Sequence, residues 1–451
     1  MVKKLVIIGG GPAGNAAALA AVDAGASEIV VVERDAMGGT CTNRGCIPTK
    51  FLLSRSEAYA SSKLSAPPQD DWGRLVAHKT ALARGLAKSI ETTCASRGIR
   101  IVRGRARFVG PSEVEVVDAG GQSSRIDGEA FIVATGSQPA QLAAAPADGR
   151  VVITSDDALD LATLPPAMAV IGSGAVGAEF AFLFARLGVK VTLIEAAGRL
   201  FPLEDPDVDG VLRRVYERLG VGIRVGSPVV GIERRGDGAA VLLGSGEAVE
   251  APVVLVGIGR TLGTAGLGCE AAGIATGPRG QMVVDDALRT SQPHIFGAGD
   301  VTGRMLLAHA ASFMGAQAAR RACGADAREV PYRSIPWATY TTPEVAAVGL
   351  TTTAAAEAAG LRAVSTGVPL MESVKARIDR TTEGFIKVVA ERGSGVLLGG
   401  TIVGPHASDL IHMIALAVHQ RLTVSDMRGF TFAHPSISEL IGDLYAIATY
   451  D

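Results

Sequence analysis

Apolar residues in this chain fall into short unbroken runs, several of which end in glycine. Lys4 to Ile8 is the first, and its continuous Leu-Val-Ile-Ile core predicts a buried parallel strand rather than a half-exposed one. An Ala-rich stretch then predicts a helix to about Ala24, and Glu28 to Val32 predicts a second strand. Phe51 to about Gly98 is rich in Ala, Arg, Lys and Ser and predicts mostly helix, broken near Pro67-Pro68. It reads as an excursion packed on the sheet rather than a new domain. Ile99 to Val117 alternates as strands, and Ala130 to Ala134 is another strand ending in Thr135-Gly136. Pro139 to Pro146, rich in Ala and Pro, predicts a hinge into a second unit.

That unit repeats the first. Ala169 to Ile171 predicts a strand, Ala178 to Leu187 a helix, Lys190 to Ile194 a strand, and Val253 to Gly257 closes the unit. Gln292 to Asp300 predicts a strand entering a turn, followed by an Ala-rich helix from about Leu306 to Arg321, where the chain is expected to rejoin the first unit. From about Ile335 the character changes. Strands are predicted around Thr339, Val345 to Val348, Phe385 to Val389 and Thr401 to Val403, with helices Ser408 to His419 and Ser438 to Ala448. Ala-rich helices with apolar faces in such a mixed α+β unit suit oligomer contacts.

Composition narrows the function classes. On a prior of roughly 150 residues per domain, the 451 residues predict about three domains. A formal net charge of −2 gives no electrostatic reason to expect nucleic acid or an anionic membrane as partner. The 56 glycines and 4% aromatics suit an α/β protein with many tight turns. Five cysteines, an odd number, argue against a secreted disulfide framework. The apolar run after Met1-Val2-Lys3-Lys4 is too short for a signal peptide, and no stretch reaches the ~18 apolar residues of a membrane span. A reducing cytoplasmic setting is therefore expected, where a surviving disulfide is catalytic rather than structural.

Two stretches carry the glycine pattern of a dinucleotide-binding turn. Gly9-x-Gly11-x-x-Gly14 lies between a strand and a helix, and Glu33 follows Gly14 by 19 residues at the end of the next strand. Such glycines permit the tight turn, the close approach to a pyrophosphate and the helix-on-strand packing, while the acid accepts from ribose hydroxyls. Gly172-x-Gly174-x-x-Gly177 with Glu195 repeats the whole arrangement. Two fingerprints predict two dinucleotides, one held tightly and one exchanging. Glu195 favours a free 2′-hydroxyl and repels a 2′-phosphate, so the nicotinamide cofactor is expected to be NAD(H).

Between the first fingerprint and the helical excursion lies Gly38-Gly39-Thr40-Cys41-Thr42-Asn43-Arg44-Gly45-Cys46-Ile47-Pro48-Thr49-Lys50. On an ideal helix, cysteines five apart are separated by about 7.5 Å along the axis, whereas a disulfide wants Cα atoms roughly 4.4–6.8 Å apart. A bonded pair would need a distorted turn entering a helix, eased by Gly45. Taken alone, a bare C-x4-C is better read as two buried, reduced structural cysteines. Cys94, Cys269 and Cys323 have no partner spacing, and His412 and His419 lie about 10.5 Å apart along a helix, too far for joint ligation. No metal site is expected.

Further motifs follow in order: Ala134-Thr135-Gly136, Glu179 in the second helix, Gly299-Asp300, Tyr340-Thr341-Thr342-Pro343-Glu344-Val345 and His434-Pro435-Ser436-x-Ser438-Glu439. Together with both fingerprints and the cysteine segment, this set resembles the FAD-dependent pyridine nucleotide–disulfide oxidoreductases, within them most closely the dihydrolipoamide dehydrogenase branch. The resemblance spans the whole chain. It implies an α/β fold of two Rossmann-like dinucleotide-binding domains plus a C-terminal α+β dimerisation domain. The implied boundaries are 1–148 for FAD, with the excursion 51–98, then 149–270 for NAD, 271–334 returning to the central domain, and 335–451 for the interface.

The resemblance also implies roles. One FAD per subunit would lie along Gly9, Gly11, Gly14 and Glu33, with Asp300 and the Ala308-His309 turn along its ribitol and ring. NAD(H) would occupy Gly172, Gly174, Gly177 and Glu195. The wider cofactor contacts it implies are Pro12, Ala13, Arg34, Gly39, Thr40, Cys41, Lys50, Ala106, Ala134, Thr135, Gly136, Ala175, Val176, Val229, Gly257, Gly259, Arg260, Gly299 and Leu307. Cys46 would be the thiol beside the flavin and Cys41 the one that forms a mixed disulfide with substrate. Lys50 would pair with Glu179 near flavin N5. In a homodimer, His434, held by Glu439, would reach the disulfide of the other subunit. Thiol–disulfide exchange needs thiolates, which an imidazole oriented by a carboxylate can generate.

The implied reaction is dihydrolipoamide, free or on a lipoyl-bearing carrier protein, plus NAD+ giving lipoamide and NADH. Reductases that use NADPH carry arginines where this chain has Glu195-Ala196-Ala197, and mercuric reductase carries a paired-cysteine tail where this chain ends Ala448-Thr449-Tyr450-Asp451. Three departures bear on substrate: Arg260-Thr261-Leu262-Gly263, Phe432 where relatives have another His, and Phe313-Met314 in the helix after His309. They leave an NAD(P)H-dependent reductase of another disulfide as the alternative, and a non-catalytic FAD-binding subunit as the reading from another class.

Overall fold

A computed structural model describes residues 3–61, 69–143 and 145–450; Pro67-Pro68, where a helix break was expected, lie outside the described residues. The first sheet is parallel, in the order Ile295–Gly297, Ala130–Val133, Lys4–Ile8, Glu28–Glu33, Arg100–Arg103. Leu5, Val6 and Ile7 are wholly buried, which requires cover on both faces of the sheet. The helix Pro12–Asp23 packs against the helix Ala308–Ala322. A Cβ on Gly315 would lie 2.0 Å from the Ala13 carbonyl oxygen, so the two helices meet backbone to backbone. The strand Ile295–Gly297 and this helix bring the chain back to the first sheet after the second unit.

The second sheet, also parallel, runs Gly222–Arg224, Lys190–Ile194, Ala167–Ile171, Val253–Val256, Val152–Ile153. Each unit carries a three-stranded antiparallel meander, Arg105–Gly110, Glu113–Val117, Ser123–Asp127 in the first and Val229–Arg235, Gly238–Leu243, Ala248–Ala251 in the second. The repeat thus extends beyond the fingerprints. A two-stranded ribbon of Ser137–Pro139 and Arg260–Leu262 joins the units where the chain leaves the first and later returns. The stretch expected as a hinge therefore begins as paired strand.

The excursion consists of the helices Cys46–Ser61 and Gln69–Ser96. It does not pack on the first sheet alone. Leu52, Leu53 and Trp72 join the core of the second unit with Phe180 and Phe184, and Trp72 donates to the Leu161 carbonyl at 2.8 Å. Lys79, 3% exposed, donates to the Leu159 carbonyl at 2.9 Å and pairs with Asp160. The far end, at Cys94, belongs to the first core. The excursion therefore clamps the two units together.

The C-terminal sheet is antiparallel, ordered Trp337–Thr339, Glu344–Gly349, Leu397–Gly404, Phe385–Glu391, Ala363–Pro369. The helix Ala407–His419 packs on it, and Glu439–Ile447 closes the same core. Among the described residues no helix is long and apolar enough to cross a membrane.

Candidate active site

The cysteine segment is more regular than a turn. Gly39–Arg44 is a short helix, Gly45 breaks it, and Cys46 begins the next helix. With the two cysteines unbonded, the segment is a helix–helix joint, and Asn43 stabilises its first helix by donating to the carbonyls of Met37 at 3.1 Å and Gly39 at 2.9 Å. A Cβ on Gly39 would come 2.6 Å from the Gly11 Cα, so the joint sits directly on the first glycine loop.

Cys41 and Cys46 are both half-buried and reduced. The Cys41 thiol hydrogen-bonds the Cys46 sulfur, so the two do not ionise alike. That bond, with burial, holds Cys41 above the ordinary thiol value. The same bond, aided by the Lys50 ammonium and opposed by burial, lowers Cys46 to about 7. Cys46 is therefore the more readily ionised of the two.

Lys50 lies one helical turn after Cys46 and so shares its face. Its ammonium donates to both oxygens of Glu179 at 2.9 and 2.8 Å and sits 4.7 Å from the centre of the Tyr340 ring. Burial opposes the charge, yet the Glu179 carboxylate outweighs it and holds Lys50 above its usual value. Glu179 is 4% exposed and also accepts the Tyr340 N–H at 3.0 Å. One carboxylate thus ties together the excursion, the second unit and the C-terminal domain.

Both glycine loops fit a dinucleotide. Gly9 and Gly172 have φ of 107° and 97°, and a Cβ on either would strike a neighbouring carbonyl oxygen, Ala134 at 2.2 Å or Gly257 at 2.5 Å. Beside Gly11 and Gly174 there is open space or only loose contact. Those residues precede the helices Pro12–Asp23 and Ala175–Arg186, whose N-termini favour anions. Buried Glu33 accepts from the N–H groups of Gly10 at 2.6 Å and Asp35 at 2.8 Å, and each oxygen keeps acceptor capacity. Thr135 Oγ1 is buried without a protein partner, as expected where a ligand completes the site. Ala134 and Gly136 flank it just beyond the end of the strand Ala130–Val133.

Asp300 follows Gly299 on the same side of the sheet and accepts from Ser137 Oγ at 2.5 Å. Arg260 in turn donates to Ser137 Oγ at 2.6 Å and to its carbonyl at 2.9 Å. Leu307 and Ala308 open the long return helix, and His309 contacts the Pro336 carbonyl at 2.7 Å. Arg34 is exposed, while Ala106 and Val229 lie in the first and second meanders. Pro12 and Ala13 open the first helix, and Ala175 and Val176 open its counterpart.

His434 stands apart. Its Nδ1 is 2.8 Å from Glu439 Oε1, and Glu439 also accepts the Ser436 N–H at 2.8 Å. The Ser436 N–H first, then His434, hold Glu439 below the usual carboxylate range. The imidazole is 70% exposed and, among the described residues, bonds neither cysteine of its own chain.

Residues 3–315 match the family described as pyridine nucleotide-disulphide oxidoreductase, and 335–445 match its dimerisation domain. The chain belongs to that family. Dihydrolipoyl dehydrogenase of Chlamydia muridarum is 35% identical over 444 residues, 96% of this chain and 94% of that protein. The solved structure of LpdA from Mycobacterium tuberculosis superposes with a TM-score of 0.91 at 30% identity, covering 99% of each chain. RclA of Escherichia coli, an HOCl-induced flavoprotein disulfide reductase, gives 0.87 at 28% identity over 99% of this chain and 100% of that one.

Within this pyridine nucleotide-disulphide oxidoreductase, sequence reasoning overlooked Ser137, which links Asp300 to Arg260, and Ser173, which holds the acid of the second loop. A position inside the second fingerprint was the available signal for Ser173; none marked Ser137. Among the described residues no group of three His, Cys, Asp or Glu side chains is placed to hold a metal ion.

Proposed function

We propose that this chain oxidises dihydrolipoamide, free or on a lipoyl-bearing carrier, with NAD+ as acceptor. FAD would rest on the first glycine loop with Glu33 and Asp300, and NAD(H) on the second with Glu195. The single observation that carries this reading is the 35% identity to a dihydrolipoyl dehydrogenase over 96% of the chain, and the site agrees with it: Cys46 lies one turn before Lys50, whose ammonium pairs with Glu179. A bound FAD supplies the two-electron relay between Cys46 and the nicotinamide.

The chain's own residues handle the sulfur and the protons. With the pair oxidised, a substrate thiolate attacks Cys41 Sγ, breaking the Cys41–Cys46 bond and leaving Cys46 as thiolate beside Lys50. The second substrate thiol, deprotonated by an imidazole, attacks the substrate sulfur in the mixed disulfide and releases Cys41 with lipoamide as product. The two electrons leave as one hydride on NAD+, with one proton to solvent. His434 of the partner subunit is the base in this scheme. Its support is the match of 335–445 to a dimerisation domain and the exposed imidazole held by Glu439.

Turnover decides the substrate. Dihydrolipoamide with NAD+ is expected to react far faster than glutathione disulfide with NADPH, and the reverse ranking would refute the proposal. A second reading, reduction of another disulfide, has Phe432 in its favour. That ring packs against Gly442 and stacks edge-on with exposed Phe430, 5.1 Å away, beside the His434 dyad.

A further inference from the structure

The two glycine loops repeat one another in backbone and in acid, but they differ at the residue between the first two glycines. That residue is Gly10 in the first loop and Ser173 in the second. In the first, among the described residues, Glu33 is held by two backbone N–H groups, those of Gly10 and Asp35. A Cβ on Gly10 would lie 2.5 Å from Met37 Sδ, so a serine in that loop would require the Met37 side chain to move aside.

In the second loop the hydroxyl is present and fully engaged. Ser173 is wholly buried. Its N–H and its Oγ both donate to Glu195 Oε2 at 2.8 Å, and the Oγ accepts the Phe201 N–H at 3.2 Å. The Ala197 N–H donates to Glu195 Oε1 at 2.8 Å. A carboxylate offers about four acceptor sites. Three are used by the protein here, so Oε2 is saturated and Oε1 keeps one acceptor direction. Glu33, with two used, keeps one on each oxygen.

We propose that Ser173 is a positioning residue for nucleotide choice: its hydroxyl locks Glu195 so that the last acceptor site receives a ribose 2′-hydroxyl and the fixed charge rejects a 2′-phosphate. This rests on the reading above that the second loop takes NAD(H). The hydroxyl adds a third bond to the two backbone N–H bonds that hold Glu195, one on each oxygen, and fills the remaining acceptor direction of Oε2. Without it the carboxylate keeps the two backbone bonds, as Glu33 does, but is held less firmly and offers a free acceptor on each oxygen, so the ribose hydroxyl is no longer directed to one site and the fixed charge is less sharply placed against a phosphate. The hydroxyl also ties the loop after Glu195 to the glycine loop through Phe201, whose φ of 50° is unusual for a bulky residue.

The test is calorimetric titration of the oxidised, FAD-loaded protein with NAD+ and NADP+, which carry no hydride and leave the flavin unreduced. Wild type, Ser173→Ala, Ser173→Gly, Glu195→Gln and the Ser173→Ala/Glu195→Gln double variant are compared. Loss of a hydrogen bond to a charged group predicts about tenfold weaker NAD+ binding in Ser173→Ala and a fall of similar size in the NADP+-to-NAD+ Kd ratio. Ser173→Gly, which copies the first loop, should behave alike. Glu195→Gln alone should collapse the ratio, and adding Ser173→Ala should change it no further. A wild-type ratio in Ser173→Ala and Ser173→Gly, whatever happens to Tm, overturns the inference and leaves the NAD(H) reading intact. Failure of wild type to prefer NAD+ overturns both.

Discussion

The thiols at positions 41 and 46 differ in charge because each meets different neighbours: Cys41 gives its proton to a hydrogen bond, and Cys46 faces an ammonium. With Cys46 near 7, below the ordinary thiol value of about 8.5, its thiolate is populated as pH rises through that value and lost below it. Anaerobic NADH titration should therefore raise a long-wavelength thiolate–flavin band that grows with a midpoint near 7 in pH. Cys46→Ser should abolish the band, and Cys41→Ser should keep it without turnover. Lys50→Met, which removes the cation, should move the midpoint upward by roughly one unit, consistent with the loss of one close opposite charge. A chain that binds FAD but shows no band at any pH would instead support the non-catalytic reading. The identities of Cys41, Cys46, Lys50 and Glu179 were legible as motif residues. The division of charge between the thiols was not, because it depends on Sγ contacts across a helix joint that spacing alone misjudged.

At the scale of elements, the regular runs were read well and the irregular connections poorly. The strands Lys4–Ile8 and Ala167–Ile171 and the long helices follow from unbroken apolar runs and Ala-rich stretches. The strand Ala363–Pro369 escaped because it is an edge strand, half-exposed or exposed at all but Val368, with no clear apolar period. The meander from Val229 to Ala251 escaped for a related reason, since its first strand buries little. Two elements carry predictions. Gly315→Val would drive a side chain into the Ala13 backbone, parting the two helices that support the first loop. FAD retention after gel filtration should fall sharply and Tm with it. Trp72→Ala should cost about 3–5 kcal/mol in a denaturant titration, the usual range for emptying a buried aromatic site, since Trp72 is fully buried where the excursion meets the second unit.

For the whole molecule, the question is whether His434 works across a subunit boundary. Co-expressing Cys46→Ser and His434→Gln chains tests it. If the dyad serves the partner's cysteines, each mixed dimer keeps one intact site, and random pairing restores about a quarter of wild-type sites. If the dyad served its own chain, no activity would return. Exposed Leu416, Phe430 and Ile447 on the C-terminal domain are suited to such an interface. The sequence by itself determined the chemistry on offer: two dinucleotide loops with their acids, a C-x4-C dithiol, and a His-Pro-x-x-x-Glu dyad, because the residues of each lie close together along the chain. Tertiary structure alone decided how these parts meet. Glu179 reaches Lys50 across 129 residues and Tyr340 across 161, and Arg260 reaches Asp300 through Ser137. Such contacts depend on how sheets and helices pack, which no local pattern records. The dithiol from which the chemistry starts is sequence-local, and the charge that makes one of its sulfurs reactive comes from the fold.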